Sequence, residues 1–153
     1  MYEVVRDTRE QRGWSFPASD SCVGTCVRTL ETGDYTLIGY ESKFVIERKR
    51  SIGELSQNLF EPRFERELER MDTFELAYLI LEFDMAQIIS FPVGSGIPEH
   101  RWQYSRLSPQ VLLKRFHEIQ IAHPTIHVIL AGKEGRNVAS SLFKRVIEHY
   151  ATK

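Results

Sequence analysis

The segment Gly33–Lys49, with the sequence GDYTLIGYESKFVIERK, decides how the first half of the chain folds. After a polar turn at residues 31–34, the apolar stretch Tyr35–Tyr40 predicts a strand. Gly39 and two polar residues after it predict the next turn, and Lys43–Lys49 predicts a second strand that ends in charged side chains. Two consecutive strands, with a carboxylate in the turn before the first, are therefore expected here.

Charged side chains gather at the end of this segment. Since side chains alternate along a strand, Glu47 and Lys49 are expected on one face and Arg48 on the opposite face or edge. Carboxylates of Asp34 and Glu47 that converge from adjacent strands can hold a hard divalent cation, and Asp7, at the mouth of the first strand, can add a third. A lysine beside them can orient a water, or help to deprotonate it, for attack on a phosphodiester. This is the inventory of a metal-dependent nuclease.

The same residues also have an ordinary structural interpretation. Charged side chains at a strand end are usually solvated, and an Asp in a Thr-Gly-Asp turn is common turn chemistry. An Asp followed by Glu-x-Lys is a weak pattern without its fold context. The rest of the chain has to supply that context.

Outward from this segment, the N-terminal half is expected to form strands and then helices. Tyr2–Arg6 and Cys22–Leu30 have the composition of strands, and three strands in a meander are the simplest interpretation. Apolar residues then recur at helical spacing over Ile52–Leu59 and over Phe64–Met71, with Pro62 suited to a break or a first turn between the two helices.

The C-terminal half alternates buried strands with helices. Phe74–Phe83 and Ile126–Ala131 are apolar enough for central strands covered on both faces. Residues 91–98 are the one long linker. Ser108 and Pro109 predict the start of a helix, because serine favours the N-cap and proline the first helical position. Val138–Tyr150 is expected to form the last helix. This order predicts a single α/β domain with a mixed central sheet flanked by helices.

Composition limits the classes of function. The 153 residues, 42% hydrophobic and 27% charged, suit one packed domain. Lys and Arg number 20 against 21 Asp and Glu, so a contact with nucleic acid needs a local patch rather than overall charge. No apolar stretch approaches a membrane span and the N-terminus lacks a signal-like pattern. We expect a soluble intracellular protein without membrane contact, cytoplasmic if prokaryotic or viral.

The two cysteines, Cys22 and Cys26, lie four residues apart in a predicted strand, where both would point to one face. A buried or free thiol pair is the main expectation. Half of a zinc site is the alternative, but no His-x-x-x-His pair supplies the other two ligands.

Four blocks of sequence, in order, resemble the nuclease domain of the XPF/MUS81 (ERCC4-type) structure-specific endonucleases, a branch of the PD-(D/E)xK restriction-endonuclease-like superfamily. They are the opening strand with its Asp-x-Arg-Glu in Val4–Glu10, the Gly-Asp-Tyr of Gly33–Tyr35, the Glu-Arg-Lys in Val45–Lys49, and the buried strand in Leu79–Asp84. Gly-Asp-Tyr and Glu-Arg-Lys in this order are specific. The remainder of the chain matches only in the order of its helices and strands.

The resemblance implies a restriction-endonuclease-like fold and an Mg²⁺- or Mn²⁺-dependent endodeoxyribonuclease that acts on branched, flap or fork DNA. The implied catalytic residues are Asp34, Glu47, Lys49 and Arg48, and the implied metal ligands are Asp7, Asp34 and Glu47. The family pattern has an Asp four residues after the Lys of Glu-Arg-Lys, where this chain has Gly53. Glu54, the next residue, either substitutes as a metal ligand or is a solvated residue that the helix dipole favours in a first turn.

The implied unit is an ERCC4-type nuclease domain over residues 1–153. Family members usually add a tandem helix-hairpin-helix DNA-binding domain, for which 153 residues leave no room, and many are dimers, so a homodimer or a partner subunit is an expectation. One rival function is a catalytically silent DNA-binding or partner subunit of a nuclease complex, which the displaced acid favours and the intact Asp34, Glu47 and Lys49 oppose. A second is a superfamily enzyme that acts on RNA or a recombination intermediate.

Several side chains outside the motifs are candidates for DNA contact: Arg50, Arg63, Arg66, Lys133, Arg136 and Trp102. A solvated helix face with local ion pairs is the alternative for the arginines of residues 63–70, and a plain connecting turn is the alternative for residues 132–137. Trp102 lies among cations and can stack on an unpaired base, with a place in the core as an equal alternative.

Overall fold

A six-stranded mixed sheet organises the chain, and the computed structural model describes all residues 1–153. The strands are β1 (Tyr2–Asp7), β2 (Cys22–Arg28), β3 (Tyr35–Leu37), β4 (Phe44–Lys49), β5 (Leu76–Leu81) and β6 (Ile126–Leu130). Their order across the sheet is β2-β1-β3-β4-β5-β6. β3 runs antiparallel to its two neighbours, β1 and β4. β2 runs parallel to β1. The strands β4, β5 and β6 run parallel to one another.

Five α-helices and two short 3₁₀ helices connect the strands. The α-helices are α1 (Ile52–Asn58), α2 (Pro62–Met71), α3 (Met85–Ile89), α4 (Pro109–Ala122) and α5 (Gly135–Ala151), and the 3₁₀ helices span Glu99–Tyr104 and Gly132–Glu134. The predicted α/β class, with a mixed central sheet flanked by helices, is confirmed. No helix has both the length and the apolar composition that crossing a membrane requires.

Helices cover both faces of the sheet, which produces two apolar cores. On one face α1, α2, α3 and α4 pack over β4, β5 and β6 through side chains such as Leu68 and Phe116. On the other face α5 packs through the fully buried Phe143 against residues that include Tyr35. Burial of one such side chain contributes about 1.5–3 kcal/mol, so both layers hold the strands firmly. The carboxyl ends of the three parallel strands therefore meet at one edge in a fixed arrangement.

The predicted pairing of the first strands is wrong at β2. A three-stranded antiparallel meander is present, but it consists of β1, β3 and β4, because β1 lies between β2 and β3. β2 pairs with β1 in parallel at the edge of the sheet. β2 and β3 also end earlier than predicted, at Arg28 and Leu37.

The expectation that the two cysteines share a face is also wrong. The register shifts between Tyr2 and Glu3, which leaves Val23 as an extra, bulged residue in β2. Cys22 packs beside Tyr2 in the core under α5, whereas Cys26 lies near the Glu3 carboxylate on the opposite face. One extra residue inverts the alternation, so the pair cannot form half of a zinc site.

Two helices differ from the sequence prediction. The sequence predicts no element between residues 84 and 90, where α3 begins with a capping box: the Asp84 carboxylate accepts from the Gln87 N–H and the Gln87 amide oxygen accepts from the Asp84 N–H. A five-residue helix is too short for a periodic pattern. The last helix begins at Gly135 rather than at Val138.

Candidate active site

The turn that carries Asp34 is locked against β4. Gly33 adopts φ +77°, and a Cβ atom there would lie 2.2 Å from Cγ2 of Val45, so only glycine fits. The Asp34 N–H donates to the Ile46 carbonyl at 2.8 Å, and Oδ2 of Asp34 accepts from the Arg48 N–H at 2.8 Å. Asp34 is thereby held to β4 on either side of Glu47, by its backbone N–H at Ile46 and by its carboxylate at Arg48.

Glu47 and Lys49 project from β4 into the same pocket, as their spacing predicts. Both residues are buried, with 5% and 6% of their surfaces exposed. The Lys49 ammonium donates to Oε1 of Glu47 at 3.1 Å and lies 5.0 Å from the centroid of the Phe64 ring. The other carboxylate oxygen of Glu47, Oε2, is buried and has no hydrogen-bond partner. Buried carboxylate oxygens are almost always paired, so this oxygen is a ligand position that the protein itself does not fill.

The pocket concentrates negative charge. Burial, with the nearby carboxylates of Glu10 and Glu67, raises the pKa of Asp34 to about 7, although the Arg48 N–H and Lys49 oppose the shift. Burial and the Asp34 carboxylate raise the pKa of Glu47 well above its ordinary value. Burial alone would lower the pKa of Lys49, but the Glu47 and Glu67 carboxylates raise it overall. A bound cation would relieve this accumulation.

The Asp7 carboxylate is hydrogen-bonded within the loops that follow β1 and β2. Oδ2 accepts from the side-chain Nε of Arg9 at 2.8 Å and from the Arg9 N–H, and Oδ1 accepts from the Leu30 N–H at 2.8 Å. Burial would raise the pKa of Asp7, but these hydrogen bonds from Arg9 and Leu30 lower it overall. Asp7 therefore joins the pocket wall while its carboxylate fastens two loops.

The Arg48 side chain lies on the opposite face of β4, in an ionic network of its own. It pairs with Glu82 through Nε, lies 3.7 Å from Glu10, and donates to the Arg12 carbonyl at 2.8 Å. Its guanidinium carbon is 4.5 Å from the centroid of the Trp14 ring. The network ties the 10–14 loop to the sheet, and only the backbone of Arg48 touches Asp34.

Gly53 and Glu54 stand where the family pattern would place another acid. A Cβ atom on Gly53 would lie 2.0 Å from the carbonyl oxygen of Ser95, so no larger side chain fits without moving that loop. Oε2 of Glu54 accepts from the Arg50 N–H at 2.8 Å, and the Glu54 N–H donates to the Ser51 hydroxyl at 3.1 Å. Glu54 lines the pocket while it closes the first turn of α1.

Two cavities meet at this site. The first, the acidic pocket, has a volume of about 260 Å³, and its charged lining consists of Asp7, Glu31, Asp34, Glu47, Glu54, Glu61, Glu67, Arg9, Lys49, Arg63 and Arg70. The second, the arginine groove, has a volume of about 730 Å³ and is lined by Arg12, Arg48, Arg50 and Arg101 against the single acid Glu54. A smaller cavity joins them, since it is lined by Asp34 and Glu47 together with Arg50.

The donor set of the acidic pocket consists of carboxylate oxygens, which suit Mg²⁺ or Mn²⁺. No three His, Cys, Asp or Glu side chains converge as a ready-made metal cluster. The unpaired Oε2 of Glu47 beside the Asp34 carboxylate is nevertheless the arrangement that a hard cation would complete. The residues present therefore fit a divalent metal.

The structure separates the predicted DNA-binding residues. Arg50 lines the arginine groove and Arg63 lines the acidic pocket, whereas Arg66 is exposed on α2 away from both cavities. Lys133 and Arg136 also line neither cavity. Lys133 lies in the 3₁₀ helix before α5 and Arg136 in the first turn of α5, where its Nε donates to the Ser15 carbonyl at 2.9 Å.

Trp102 lies beside the arginine groove without lining it. Its indole is half-buried and donates to the Ile97 carbonyl at 2.9 Å. This bond pins the turn that carries Arg101, so the structure gives Trp102 a packing contact while leaving part of its ring accessible.

Glu67 is the main residue that sequence reasoning missed, because the alternating charges of α2 are typical of a solvated helix face. Glu67 is half-buried and lines the acidic pocket together with Glu47, and its carboxyl group is near enough to contribute to the raised pKa of Glu47. Its position was detectable, since it follows Phe64 by three residues and lies on the stripe of α2 that packs on the sheet. Glu10 and Glu82, the partners of Arg48, gave no such signal.

A mixed sheet with Asp34 in a turn and with Glu47 and Lys49 on the neighbouring strand defines a restriction-endonuclease-like fold. The family model for the ERCC4 domain matches residues 6–134. The chain belongs to the ERCC4 domain family, which confirms the resemblance of its motifs.

Solved structures agree with this fold. XPF from Aeropyrum pernix is similar with a TM-score of 0.64 at 19% identity, over 95% of this chain and 65% of that chain. A structure of XPF from Aeropyrum pernix in complex with DNA is similar with a TM-score of 0.62 at 17% identity, over 97% of this chain and 66% of that chain. The chain thus spans just under two thirds of the XPF chains. No curated protein matches it by sequence.

Proposed function

We propose that this chain is a divalent-metal-dependent endonuclease that hydrolyses phosphodiester bonds in DNA, with branched, flap or fork DNA as its substrate. The observation that carries the proposal is the unpaired, buried Oε2 of Glu47 beside Asp34 and Lys49, in a chain of the ERCC4 domain family. A buried carboxylate oxygen without a partner costs free energy, and such groups are typical of functional sites. The DNA complex of the similar XPF structure supports DNA as the polymer.

Asp34 and Glu47 would hold the cation, Mg²⁺ or Mn²⁺. When bound, the cation supplies Lewis-acid stabilisation of the negative charge that develops on the phosphate. Asp34 contributes from a turn whose conformation is fixed by Gly33 and by the Arg48 N–H. A carboxylate that is already in place loses little freedom on binding, which favours a well-defined site.

Lys49 would position the attacking water and the phosphate rather than bind the cation. Its ammonium is held at Glu47 Oε1 and against the Phe64 ring, so it stays on the pocket floor. A fixed positive charge there stabilises an anionic transition state without reorganisation during the reaction.

The arginine groove provides a path for the sugar-phosphate backbone toward the acidic pocket. Arg12, Arg50 and Arg101 are exposed and come from three separate segments that converge on this groove. Because the whole chain is close to neutral, a local row of arginines is what phosphate contact requires. We place the DNA strand here rather than across Lys133 and Arg136, which lie outside the groove.

A cleavage assay with matched variants tests the function. Purified protein is incubated with flap, fork, Holliday-junction, duplex and single-stranded DNA in Mg²⁺, Mn²⁺ or EDTA. Wild-type protein and a Glu69→Gln control, changed at an exposed acid of α2 outside the pocket, should cleave branched DNA only with metal. Glu47→Gln should be inactive. Cleavage that persists in EDTA or in Glu47→Gln would reject the proposal.

The second candidate is a catalytically silent DNA-binding or partner subunit. It is favoured by the lack of a preformed three-ligand cluster and by the glycine at position 53. Wild-type protein that binds branched DNA but cleaves no DNA or RNA in either metal would establish this alternative.

A further inference from the structure

Glu67 enters the active-site pocket from a different element than the other acids. It is borne by α2, whereas Asp34 precedes β3 and Glu47 lies on β4. Phe64 and Leu68, on either side of it along the helix, are buried in the core and fix the helix against the sheet. Glu67 therefore projects toward the pocket as a consequence of helix packing and not of chain flexibility.

The contacts of Glu67 are unusual for an acid on a helix surface. It lines the acidic pocket together with Asp34, Glu47 and Lys49, and its carboxylate helps to raise the pKa of both Glu47 and Lys49. Lys49 donates to Oε1 of Glu47, which leaves Oε2 of Glu47 buried without a donor. Two carboxyl groups in contact repel each other unless a proton or a cation lies between them. The acidic pocket thus contains one unfilled ligand position, Oε2 of Glu47, and is also lined by the carboxylates of Asp34 and Glu67.

No acid of the segment after Lys49 takes this place. Gly53 has no side chain, and the Ser95 carbonyl prevents one. The Glu54 carboxylate accepts from the Arg50 N–H at the start of α1. Asp7 is likewise engaged by Arg9 and Leu30. Of the acids that line the pocket, Asp34 and Glu67 are the two whose carboxylates act on Glu47, and Glu67 is the one that comes from a helix.

We propose that Glu67 is a ligand of the catalytic cation, joining Glu47 and Asp34 from α2 and supplying the carboxylate that position 53 lacks. This inference rests on the proposed function, because it assigns a residue to the same metal site. Hard cations bind through several carboxylates, and clustered acids gain from a cation because it offsets their repulsion.

Metal binding, measured apart from cleavage, tests the proposal. Mn²⁺ is titrated by calorimetry into wild type, Glu67→Gln and the control Glu69→Gln, and the midpoint of thermal unfolding is recorded in Mn²⁺ and in EDTA. Glu67→Gln should bind Mn²⁺ at least ten times more weakly and lose most of the metal-induced rise in the midpoint. In EDTA it should unfold at the same or a higher temperature than wild type, since a carboxylate repulsion is removed. Glu69→Gln should match wild type throughout.

The outcomes separate this inference from the proposed function. If wild type binds Mn²⁺ and cleaves DNA while Glu67→Gln binds Mn²⁺ equally well, Glu67 is not a ligand and the nuclease assignment stands. If Glu67→Gln unfolds much earlier than wild type in EDTA, Glu67 has a structural role and the inference is overturned. If wild type itself binds no Mn²⁺, both the inference about Glu67 and the proposal of a metal-dependent nuclease fail.

Discussion

The carboxylate of Asp34 accepts a hydrogen bond from the backbone N–H of Arg48 at 2.8 Å, while the Arg48 side chain turns to the opposite face of β4. One residue thus positions the acid with its backbone and anchors the neighbouring loop with its side chain. Backbone and side-chain roles at this position can be separated by substitution, since only the side chain is changed.

Removal of either central acid should abolish cleavage and preserve the fold. For Asp34→Asn and Glu47→Gln we expect the rate to fall on the order of 100-fold or more, the size of effect when one group that stabilises developing charge is lost. Circular dichroism and thermal unfolding in EDTA should match wild type or show a small gain, because carboxylate repulsion decreases. Full activity in either variant would contradict the site.

Lys49→Ala should reduce the rate more than it reduces metal binding, since an ammonium cannot be a ligand for a cation. Single-turnover cleavage gives the rate, and calorimetry with Mn²⁺ gives the affinity. Lys49→Arg serves as the charge-preserving control and should retain part of the rate. A collapse of Mn²⁺ affinity in Lys49→Ala as deep as that in Glu47→Gln would show that the assigned role is wrong.

Arg48→Ala should act mainly on stability. Loss of the guanidinium leaves Glu82 and Glu10 without their buried partner, and breaking such a pair costs about 3–5 kcal/mol in the free energy of unfolding. Urea denaturation measures the change, with Arg50→Ala, which alters an exposed arginine at the same strand end, as the comparison. Arg48→Lys should recover little, because a single ammonium cannot reproduce the contacts to Glu82, the Arg12 carbonyl and Trp14. Equal stability of Arg48→Ala and Arg50→Ala would disprove the anchoring role.

The arginine groove should dominate DNA affinity and its dependence on salt. We expect a slope of log K against log salt of about −3 to −5 on duplex DNA, and a variant that neutralises one phosphate fewer should have a slope shallower by about 0.9. Arg101→Ala should show this change, whereas Lys133→Ala, outside the groove, should not. Fluorescence anisotropy at several salt concentrations measures both the affinity and the slope. If Lys133→Ala rather than Arg101→Ala made the slope shallower, the DNA would have to bind on the α5 side of the molecule.

Stability should depend on pH through His123. Burial lowers the pKa of His123, but hydrogen bonds to Asp72 and Glu65 raise it overall; Arg115 also contacts Glu65. A raised pKa in the folded protein means that this stabilisation is full below pH 6.5, the ordinary histidine value, and is lost as the pH rises through the folded pKa. His123→Gln should therefore reduce the pH dependence of the unfolding free energy between pH 6.5 and the raised pKa of His123. The control His117→Gln, which changes an exposed histidine, should leave this pH dependence unchanged. An equal slope in wild type and His123→Gln would contradict this.

Sequence periodicity predicted the features of the fold that depend on the regular spacing of side chains within one strand or helix. The shared face of Glu47 and Lys49 and the buried strand at residues 76–81 both follow from local spacing. The bulge at Val23 and the parallel edge strand β2 could not be predicted, because they depend on which strand becomes the neighbour of β1. The position of Glu67 in the pocket was missed for a related reason: it depends on how α2 packs against the sheet, and Glu65, Arg66, Glu69 and Arg70 around it are charged.

The contact between Gly53 and the Ser95 carbonyl constrains how this chain can change over evolutionary time. An aspartate cannot be introduced at position 53 without moving the 94–96 loop, because its Cβ atom would collide with the Ser95 carbonyl oxygen. The loop would have to shift first. Position 53 and the loop opposite it can therefore change only together, so a substitution confined to position 53 is excluded.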